Sequence, residues 1–232
     1  MKPKVVILTG AGISAESGIQ TFRGANGLWE GHRIEDVASP DGWKQNKQLV
    51  LDFYNLRRAQ LLTVKPNAAH EALVELEKNY DVTIITQNVD DLHERAGSSN
   101  VVHLHGELLK VRSSLDESLV YDWRKDLMIG DKCERGSQLR PHIVWFGEMV
   151  PMIEPAQRIA ARADIFIVIG TSLVVYPAAG LLHFAPDISR KFLIDPHADE
   201  LSASVPNLRI IKASATKGVP DLVEMLVKEV EE

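Results

Sequence analysis

Four short segments of this sequence carry residues suited to binding a ligand and moving a proton. They are Gly10-Ala11-Gly12-Ile13-Ser14, Gln87-Asn88-Val89-Asp90, His105-Gly106 and Gly170-Thr171-Ser172. Glycine lets a backbone come close to a phosphate, hydroxyl and amide groups bind sugar oxygens, and histidine exchanges protons near neutral pH. Each segment alone has a structural explanation, since an Asn or Asp after a strand often caps a helix and a single His is often a core residue. Their joint occurrence favours a nucleotide site.

The glycine run follows residues 5–8, a short apolar stretch whose β-branched content is typical of a buried parallel strand. With Ala15 it has the pattern G-x-G-x-x-A, a variant of the turn that brings backbone N–H groups against a pyrophosphate. Glycine is expected there for close approach and for positive φ. A dinucleotide fold of the dehydrogenase kind also needs an acidic residue at the end of the next strand, but Glu30 and Asp36 lie in loop sequence. A Walker lysine is missing as well, so a P-loop is excluded.

The elements that must position these segments alternate between strands and helices. This order predicts an α/β fold with a doubly wound, mostly parallel, Rossmann-like sheet. Predicted strands cover residues 5–8, 82–86, 101–106, 143–146, 165–169, 191–194 and 208–211, and predicted helices cover 47–62, a segment after the N-cap Asn67, 154–163 and 219–230. Ligands of open α/β sheets bind beyond the carboxyl ends of the strands, which is where the four segments fall.

The 232 residues are interpreted as one domain with a small inserted module. The Rossmann-like core is expected at about residues 1–38, 80–106 and 141–232, a helical segment at about 40–79, and the module at about 107–140. The module is polar and lacks clear periodicity. We expect local packing around Trp123 and Leu127 to hold it together.

Composition restricts the class of protein. Hydrophobic residues make up 45% of the chain and charged residues 25%, as in ordinary soluble domains. The formal net charge of −6 gives no sign of general nucleic-acid binding. The sequence shows no signal peptide and no apolar run of membrane-spanning length, and its one cysteine, Cys133, fits a reducing compartment. We expect a cytoplasmic monomer without membrane or nucleic-acid partners.

Two features leave alternatives open. The glycine-rich residues 24–29 either order over a ligand, with Phe22 and Trp29 as a lid, or form a surface turn with Trp29 packed on the core. Arg57 lies on the apolar stripe of a predicted helix, three residues after Tyr54, so the two side chains are neighbours. This arginine either reaches past the edge of the core or awaits the carboxylate of a ligand.

Five stretches carry a family resemblance. They are GAGISAESGIQTFR at residues 10–23, TQNVDDLHERAG at 86–97, HLHGEL at 103–108, LRPHIVWFGE at 139–148 and GTSLVVYPAAG at 170–180. In content and order they resemble the sirtuins, NAD-dependent protein-lysine deacylases, of the small bacterial class III type. The resemblance spans nearly the whole chain apart from the inserted module. It implies that acylated protein lysines are the substrates, that NAD is consumed, and that the acyl group is transferred to ADP-ribose as nicotinamide leaves.

The resemblance also implies a role for each matching residue. The residues that would hold NAD are Gly10, Ala11, Gly12, Ser14, Phe22, Arg23, Trp29, Gln87, Asn88, Asp90, Gly170, Thr171 and Ser172, with Asp195 and Ala213 on the adenosine side. The catalytic set would be His105, Asn88 and Gln87, with His105 taking a proton from a ribose hydroxyl. The acyl-lysine channel would be lined by Val144, Phe146, Gly147 and Glu148, which also pair with the peptide backbone. Tyr54 and Arg57 match the pair that binds the carboxylate of succinyl- or malonyl-lysine.

The sequence departs from the family in the inserted module. Sirtuins usually hold a structural zinc there with two pairs of cysteines, but this module has only Cys133 and no histidine between His105 and His142. Because structural zinc needs four Cys or His ligands, we predict no bound metal. Two rival functions remain, mono-ADP-ribosyl transfer from the same NAD site and a catalytically silent NAD-binding module. The complete catalytic set argues against the silent module.

Overall fold

A computed structural model describes residues 2–20, 28–29, 31–198 and 205–231. The strands are β1 (Lys4–Thr9), β2 (Leu28–Trp29), β3 (His32–Arg33), β4 (Asp81–Thr86), β5 (Val101–His103), β6 (Gly106–Ser113), β7 (Val120–Asp122), β8 (Leu139–Ile143), β9 (Ile165–Ile169), β10 (Arg190–Ile194) and β11 (Leu208–Ile211). The α-helices are α1 (Ile34–Val37), α2 (Pro40–Gln45), α3 (Lys47–Leu61), α4 (Ala68–Leu76), α5 (Leu92–Ala96), α6 (Ile153–Ala160) and α7 (Ala215–Glu231). Phe22 and Arg23, predicted to close over NAD, lie outside the described residues.

Six strands form one parallel sheet in the order β11-β10-β9-β1-β4-β5. The chain runs outward from β1 to β4 and β5, and it later returns to the other side of β1 as β9. Such a reversal of strand order opens a crevice at the carboxyl ends of the strands. Thr9 at the end of β1 is in register with Thr86 and with Ile169, the last residues of its two neighbours. The doubly wound Rossmann-like fold is therefore confirmed.

The sheet is buried on both faces, as parallel sheets are. Successive side chains of a strand point to opposite faces, so Val5 and Ile7 pack with α4 and α7 while Val6 and Leu8 pack with α6. All four side chains are at most 3% exposed. The central strand thus holds its C-terminal loop on a rigid base.

The small module is a three-stranded antiparallel sheet with the order β7-β6-β8. The prediction of a strand at residues 143–146 was wrong, because the strand there is β8, which ends at Ile143 and pairs with β6. Residues 144–148 form a turn instead. The apolar run reflects the burial of Ile143 and Trp145 in a core cluster, whereas Phe146 is exposed.

Helix α3 holds the module through buried side chains. Asn55 donates to the carbonyl of Leu127 at 3.1 Å and accepts from its N–H at 2.9 Å. Arg58 donates to the carbonyl of Leu108 at 3.2 Å, and burial lowers the pKa of its guanidinium to about 10. Leu127 is fully buried in a cluster shared with α3, while Trp123 packs at its margin. The module is therefore held by α3 as well as by its own packing.

Other element bounds differ modestly from expectation. Strand β5 ends at His103, not at residue 106 as predicted, because Leu104 and His105 connect it to the small sheet. Helix α7 begins at Ala215, four residues before the predicted start, with Pro220 inside it. Asn67 caps α4 as predicted, accepting from the N–H of Ala69 at 3.0 Å. None of the helices in the described part of the chain is long and apolar enough to cross a membrane.

Candidate active site

The glycine run after β1 interlocks with the loop after β9. The N–H of Gly10 donates to the carbonyl of Ile169 at 2.9 Å, and that of Gly12 donates to the carbonyl of Gly170 at 2.8 Å. A Cβ on Gly12 would lie 2.5 Å from the Cα of Gly170. Of the three glycines in these two loops, Gly170 uses the left-handed region, at φ +61°, whereas Gly10 has φ −123°. The structure shows one reason for these glycines, the close approach of two protein loops, while the approach of this turn to a pyrophosphate stays a prediction.

Ser14, Asn88 and Asp90 form a buried polar cluster above β1 and β4. The hydroxyl of Ser14 donates to Asp90 Oδ2 at 3.0 Å, and Asn88 Nδ2 donates to the carbonyl of Gly10 at 3.1 Å. Burial raises the pKa of Asp90 from 3.8 to about 6, although hydrogen bonds from Leu92 N–H and from Ser14 oppose this rise. Three of the side chains predicted to bind NAD thus lie together.

A chain of hydrogen bonds supports this cluster from below. Thr9 donates to the hydroxyl of Thr86 at 2.8 Å, and Thr86 accepts from the backbone N–H of Asn88 at 3.0 Å. The Nε2 atom of His93 lies 3.1 Å from the hydroxyl of Thr9. Sequence reasoning missed both threonines, although their position as the last residues of two strands was a usable signal.

His105 has a defined tautomer. Its Nδ1 lies 3.0 Å from the carbonyl oxygen of Gln87, and because a carbonyl only accepts, Nδ1 carries the proton. The basic lone pair is therefore on Nε2. Burial lowers the pKa of His105, which keeps the ring neutral at pH 7. The arrangement suits a general base.

His103 makes a similar backbone contact, which sequence reasoning did not predict, but it also pairs with a carboxylate. Its Nδ1 bonds the carbonyl of Asn88 at 3.2 Å, and its Nε2 lies 2.7 Å from Glu94. Burial opposes protonation of His103, but the hydrogen bond and charge of Glu94 outweigh it and raise the pKa. His103 and His105 are two residues apart in an extended segment and so share one side, which was the available signal.

The other predicted NAD contacts lie along the same sheet edge. Gln87 Nε2 donates to the hydroxyl of Thr171 at 3.4 Å, and Ser172 is exposed beside it. Asp195 directly follows β10, where its carboxylate accepts from the N–H of His197 at 2.7 Å. Ala213 follows β11, whose last residue is in register with that of β10. The fold therefore places these residues farther along the carboxyl edge.

Tyr54 and Arg57 lie one turn apart on α3. Tyr54 is 1% exposed, and its hydroxyl accepts from the indole N–H of Trp145 at 3.0 Å. Arg57 is half-buried, with its guanidinium 3.3 Å from the ring centroid of Phe53 and Nη1 donating to the Phe53 carbonyl at 2.7 Å.

Trp29 packs edge-on against Phe53, with the ring centroids 5.0 Å apart. This contact agrees with the alternative in which Trp29 packs on the core.

The turn at residues 144–148 touches both parts of the site. The N–H of Val144 donates to the carbonyl of His105 at 2.9 Å, while Trp145 bonds Tyr54. Phe146 is 47% exposed, and Gly147 has φ +88° with open space where a Cβ would lie. This turn therefore connects His105 to Tyr54 through hydrogen bonds of Val144 and Trp145.

Glu148 has strong partners within the protein. Its carboxylate accepts from Arg140 Nη1 at 2.7 Å and from the N–H of Trp145 at 2.8 Å, and it lies 3.4 Å from Arg112 Nη2. Hydrogen bonds and charge from the arginines lower the pKa of Glu148 despite its burial. The Glu148 carboxylate is thus bound within the protein, between the arginines of the small sheet and the turn at residues 144–148.

The described residues contain no group of three or more His, Cys, Asp or Glu side chains that could hold a metal. Cys133 is buried, with its sulfur 3.1 Å from the hydroxyl of Ser137. The absence of structural zinc stays a prediction.

Comparisons with known proteins agree with the geometry. A model of the Sir2 family matches residues 10–177. The chain is 59% identical over 225 residues to an NAD-dependent protein deacylase of Helicobacter pylori, which covers 97% of each chain. It is 54% identical over 229 residues to one of Bacteroides thetaiotaomicron, which covers 96% of this chain and 97% of that one.

Two solved structures share the fold over almost the full chain. A complex of a Sir2 homologue with NAD has a TM-score of 0.88 at 40% identity, covering 99% of this chain and 91% of that one. A Sir2 protein with a deacetylated p53 peptide and 3'-O-acetyl ADP-ribose has a TM-score of 0.75 at 30% identity, covering 98% and 94%.

Proposed function

Because the chain belongs to the Sir2 family and is an NAD-dependent protein deacylase, we propose that it removes succinyl and malonyl groups from lysine as well as acetyl. The observation that carries this proposal is the pair Tyr54 and Arg57 on one face of α3, joined to the channel turn through Trp145. A phenol donor and a planar guanidinium match the two oxygens of a carboxylate.

The donor set at the sheet edge fits NAD. Hydroxyls of Ser14 and Thr171 and amides of Gln87 and Asn88 lie at the reversal of strand order, where nucleotides bind in such folds. When bound, NAD supplies an activated ribose carbon and nicotinamide as leaving group. We propose that His105 Nε2 accepts a proton from a ribose hydroxyl while the acyl group passes to ADP-ribose.

The charges near Tyr54 suit an acidic acyl group. Burial raises the pKa of Tyr54, and the hydrogen bond from Trp145 and the positive charges of Arg140 and Arg57 oppose that rise less strongly. The negative charge of Glu148 acts in the same direction as burial but is the smallest of these effects. The hydroxyl therefore stays protonated at neutral pH and can donate a hydrogen bond. A hydrogen bond to a charged acceptor in such a buried place contributes about 1.5–3 kcal/mol.

The test compares one peptide carrying succinyl-lysine or acetyl-lysine. Replacing Tyr54→Phe and Arg57→Met together should lower kcat/KM for desuccinylation by at least about tenfold more than for deacetylation. His183→Ala, a change at an exposed residue, is the control for handling and folding. An equal loss of both activities would contradict the proposal.

We also propose that the protein works as a cytoplasmic monomer without a nucleic-acid partner. The net charge of −6 and the single buried cysteine support this. Light scattering after size-exclusion chromatography should give a mass near 25.8 kDa, and a mass twice as large would contradict the monomer.

A further inference from the structure

Trp145 lies in the channel turn and is 2% exposed, and its one polar hydrogen is already bound within the protein. Its indole N–H donates to the hydroxyl of Tyr54 at 3.0 Å, across 91 positions of sequence. An indole nitrogen is a donor only. In this bond the Tyr54 oxygen is therefore the acceptor.

The bond from Trp145 limits which further hydrogen bonds the Tyr54 hydroxyl can make. A phenol hydroxyl has one proton to donate, and here its oxygen already accepts from Trp145. Burial raises the pKa of Tyr54, so the O–H stays protonated at neutral pH. Toward an acyl group, Tyr54 is then a donor. A carboxylate accepts only, whereas a carboxamide of the same shape both donates and accepts.

The indole is fixed from behind by other side chains. The guanidinium of Arg140 lies 3.4 Å from the Trp145 ring centroid and is itself bound to Glu148 at 2.7 Å. The ring of Trp43 lies 5.8 Å from that of Trp145, at an interplanar angle of 43°. Because a ring held in this way cannot turn freely, its N–H keeps pointing at Tyr54.

We propose that Trp145 is a positioning residue that makes the Tyr54 hydroxyl a hydrogen-bond donor and so selects acyl groups that end in a carboxylate. The inference rests on the proposed function, since it concerns the same acyl pocket. It adds a specificity determinant that does not touch the substrate and acts through Tyr54.

The experiment uses one peptide with three acyl groups on its lysine, namely acetyl, succinyl and the succinyl monoamide. Trp145→Phe removes the indole N–H and keeps an aromatic ring under Arg140. We expect kcat/KM for the succinyl peptide to fall about three- to tenfold, mainly through KM, while that for acetyl stays within about twofold. The preference for succinyl over its monoamide should shrink, because the Tyr54 hydroxyl can then also accept.

Two controls separate positioning from general damage. Trp43→Phe changes the neighbouring ring, which has no hydrogen bond to Tyr54, and should leave all three rates within about twofold. In a Tyr54→Phe background, Trp145→Phe should have no further effect on succinyl selectivity, because residues that act through each other are not additive. A purely structural role would lower all three rates in both backgrounds.

The outcomes are distinct. A wild-type enzyme that does not act on the succinyl peptide would overturn the proposed function and this inference together. A wild-type enzyme that does, with unchanged selectivity in Trp145→Phe, would overturn the inference alone. If Trp145→Phe fails to fold, the amide comparison decides, because the wild type should prefer succinyl over its monoamide and Tyr54→Phe should reduce that preference to the part that the charge of Arg57 supplies. Failure of Tyr54→Phe to do so would overturn the inference.

Discussion

The NAD half and the acyl half of this site are built in different ways. The NAD half, around Ser14, Asn88 and Asp90, grows from the in-register ends of β1, β4 and β9 and is tied together by hydrogen bonds. The acyl half joins Tyr54 on α3 to a turn that follows the small sheet. We propose that the sheet positions the chemistry shared by all acyl groups, and that α3 and the turn at residues 144–148 determine the choice among them.

This difference predicts which substitutions act on every substrate and which act on one. Changes in the NAD half should lower all deacylation alike. Changes in the acyl half should alter the ratio between acyl groups, as described above for Tyr54 and Arg57.

His105→Ala should have the largest effect. Loss of a general base costs about 10²–10⁴-fold in rate, and here it should reduce kcat by that range equally for acetyl and succinyl peptides. The measurement is nicotinamide release under saturating NAD, with His183→Ala as the matched histidine control. A loss confined to one acyl group would break the proposed division into two halves.

Glu148→Gln should be the most destabilising of the proposed changes. It leaves Arg140, which is 8% exposed, without its carboxylate, and leaves Arg112, which is 5% exposed, with only the exposed Glu117 at 3.6 Å. Breaking such a buried ion pair costs about 3 kcal/mol. Urea unfolding measures the change. The control is Glu154→Gln, whose exposed pair with Arg158 is worth about 0.5 kcal/mol or less. If Glu148→Gln and Glu154→Gln lower the free energy of unfolding equally, the ion pairs of Glu148 do not hold the turn to the module.

Asp90 should make stability depend on pH in a defined direction. Folding raises its pKa from 3.8 to about 6, so the fold favours the protonated carboxyl. Its stabilising contribution is complete below about pH 4 and is lost as the pH rises through about 6, by up to about 3 kcal/mol. The free energy of unfolding of the wild type, measured relative to that of Asp90→Asn, should thus fall as the pH rises from 4 to 7. A constant difference across this range would contradict the buried placement of Asp90.

Removal of metal should have the smallest effect. The hydrogen bonds of Asn55 and Arg58 hold the module to α3, so dialysis against a chelator should shift Tm by less than about 1 °C. Metal analysis should find well under one zinc per chain. About one tightly bound zinc per chain, or a large loss of Tm, would overturn the prediction.

The same contrast explains what the sequence could predict. The parallel strands were predictable because residues such as 5–8 and 165–169 form short apolar runs that end in polar segments. The small sheet was not, because β6 to β8 are short or polar strands without a strict alternation. The bond from Trp145 to Tyr54 joins residues 91 positions apart, and no local pattern reports such a contact.

Product analysis tests the central claim most directly. One peptide is prepared with acetyl-lysine, succinyl-lysine or free lysine, incubated with the wild-type protein with and without NAD, and examined by mass spectrometry. We predict that each acylated peptide yields the free-lysine peptide, nicotinamide and O-acyl-ADP-ribose in equimolar amounts. These products should form only when NAD is present. ADP-ribose attached to the peptide, or product from acetyl-lysine alone, would contradict the account.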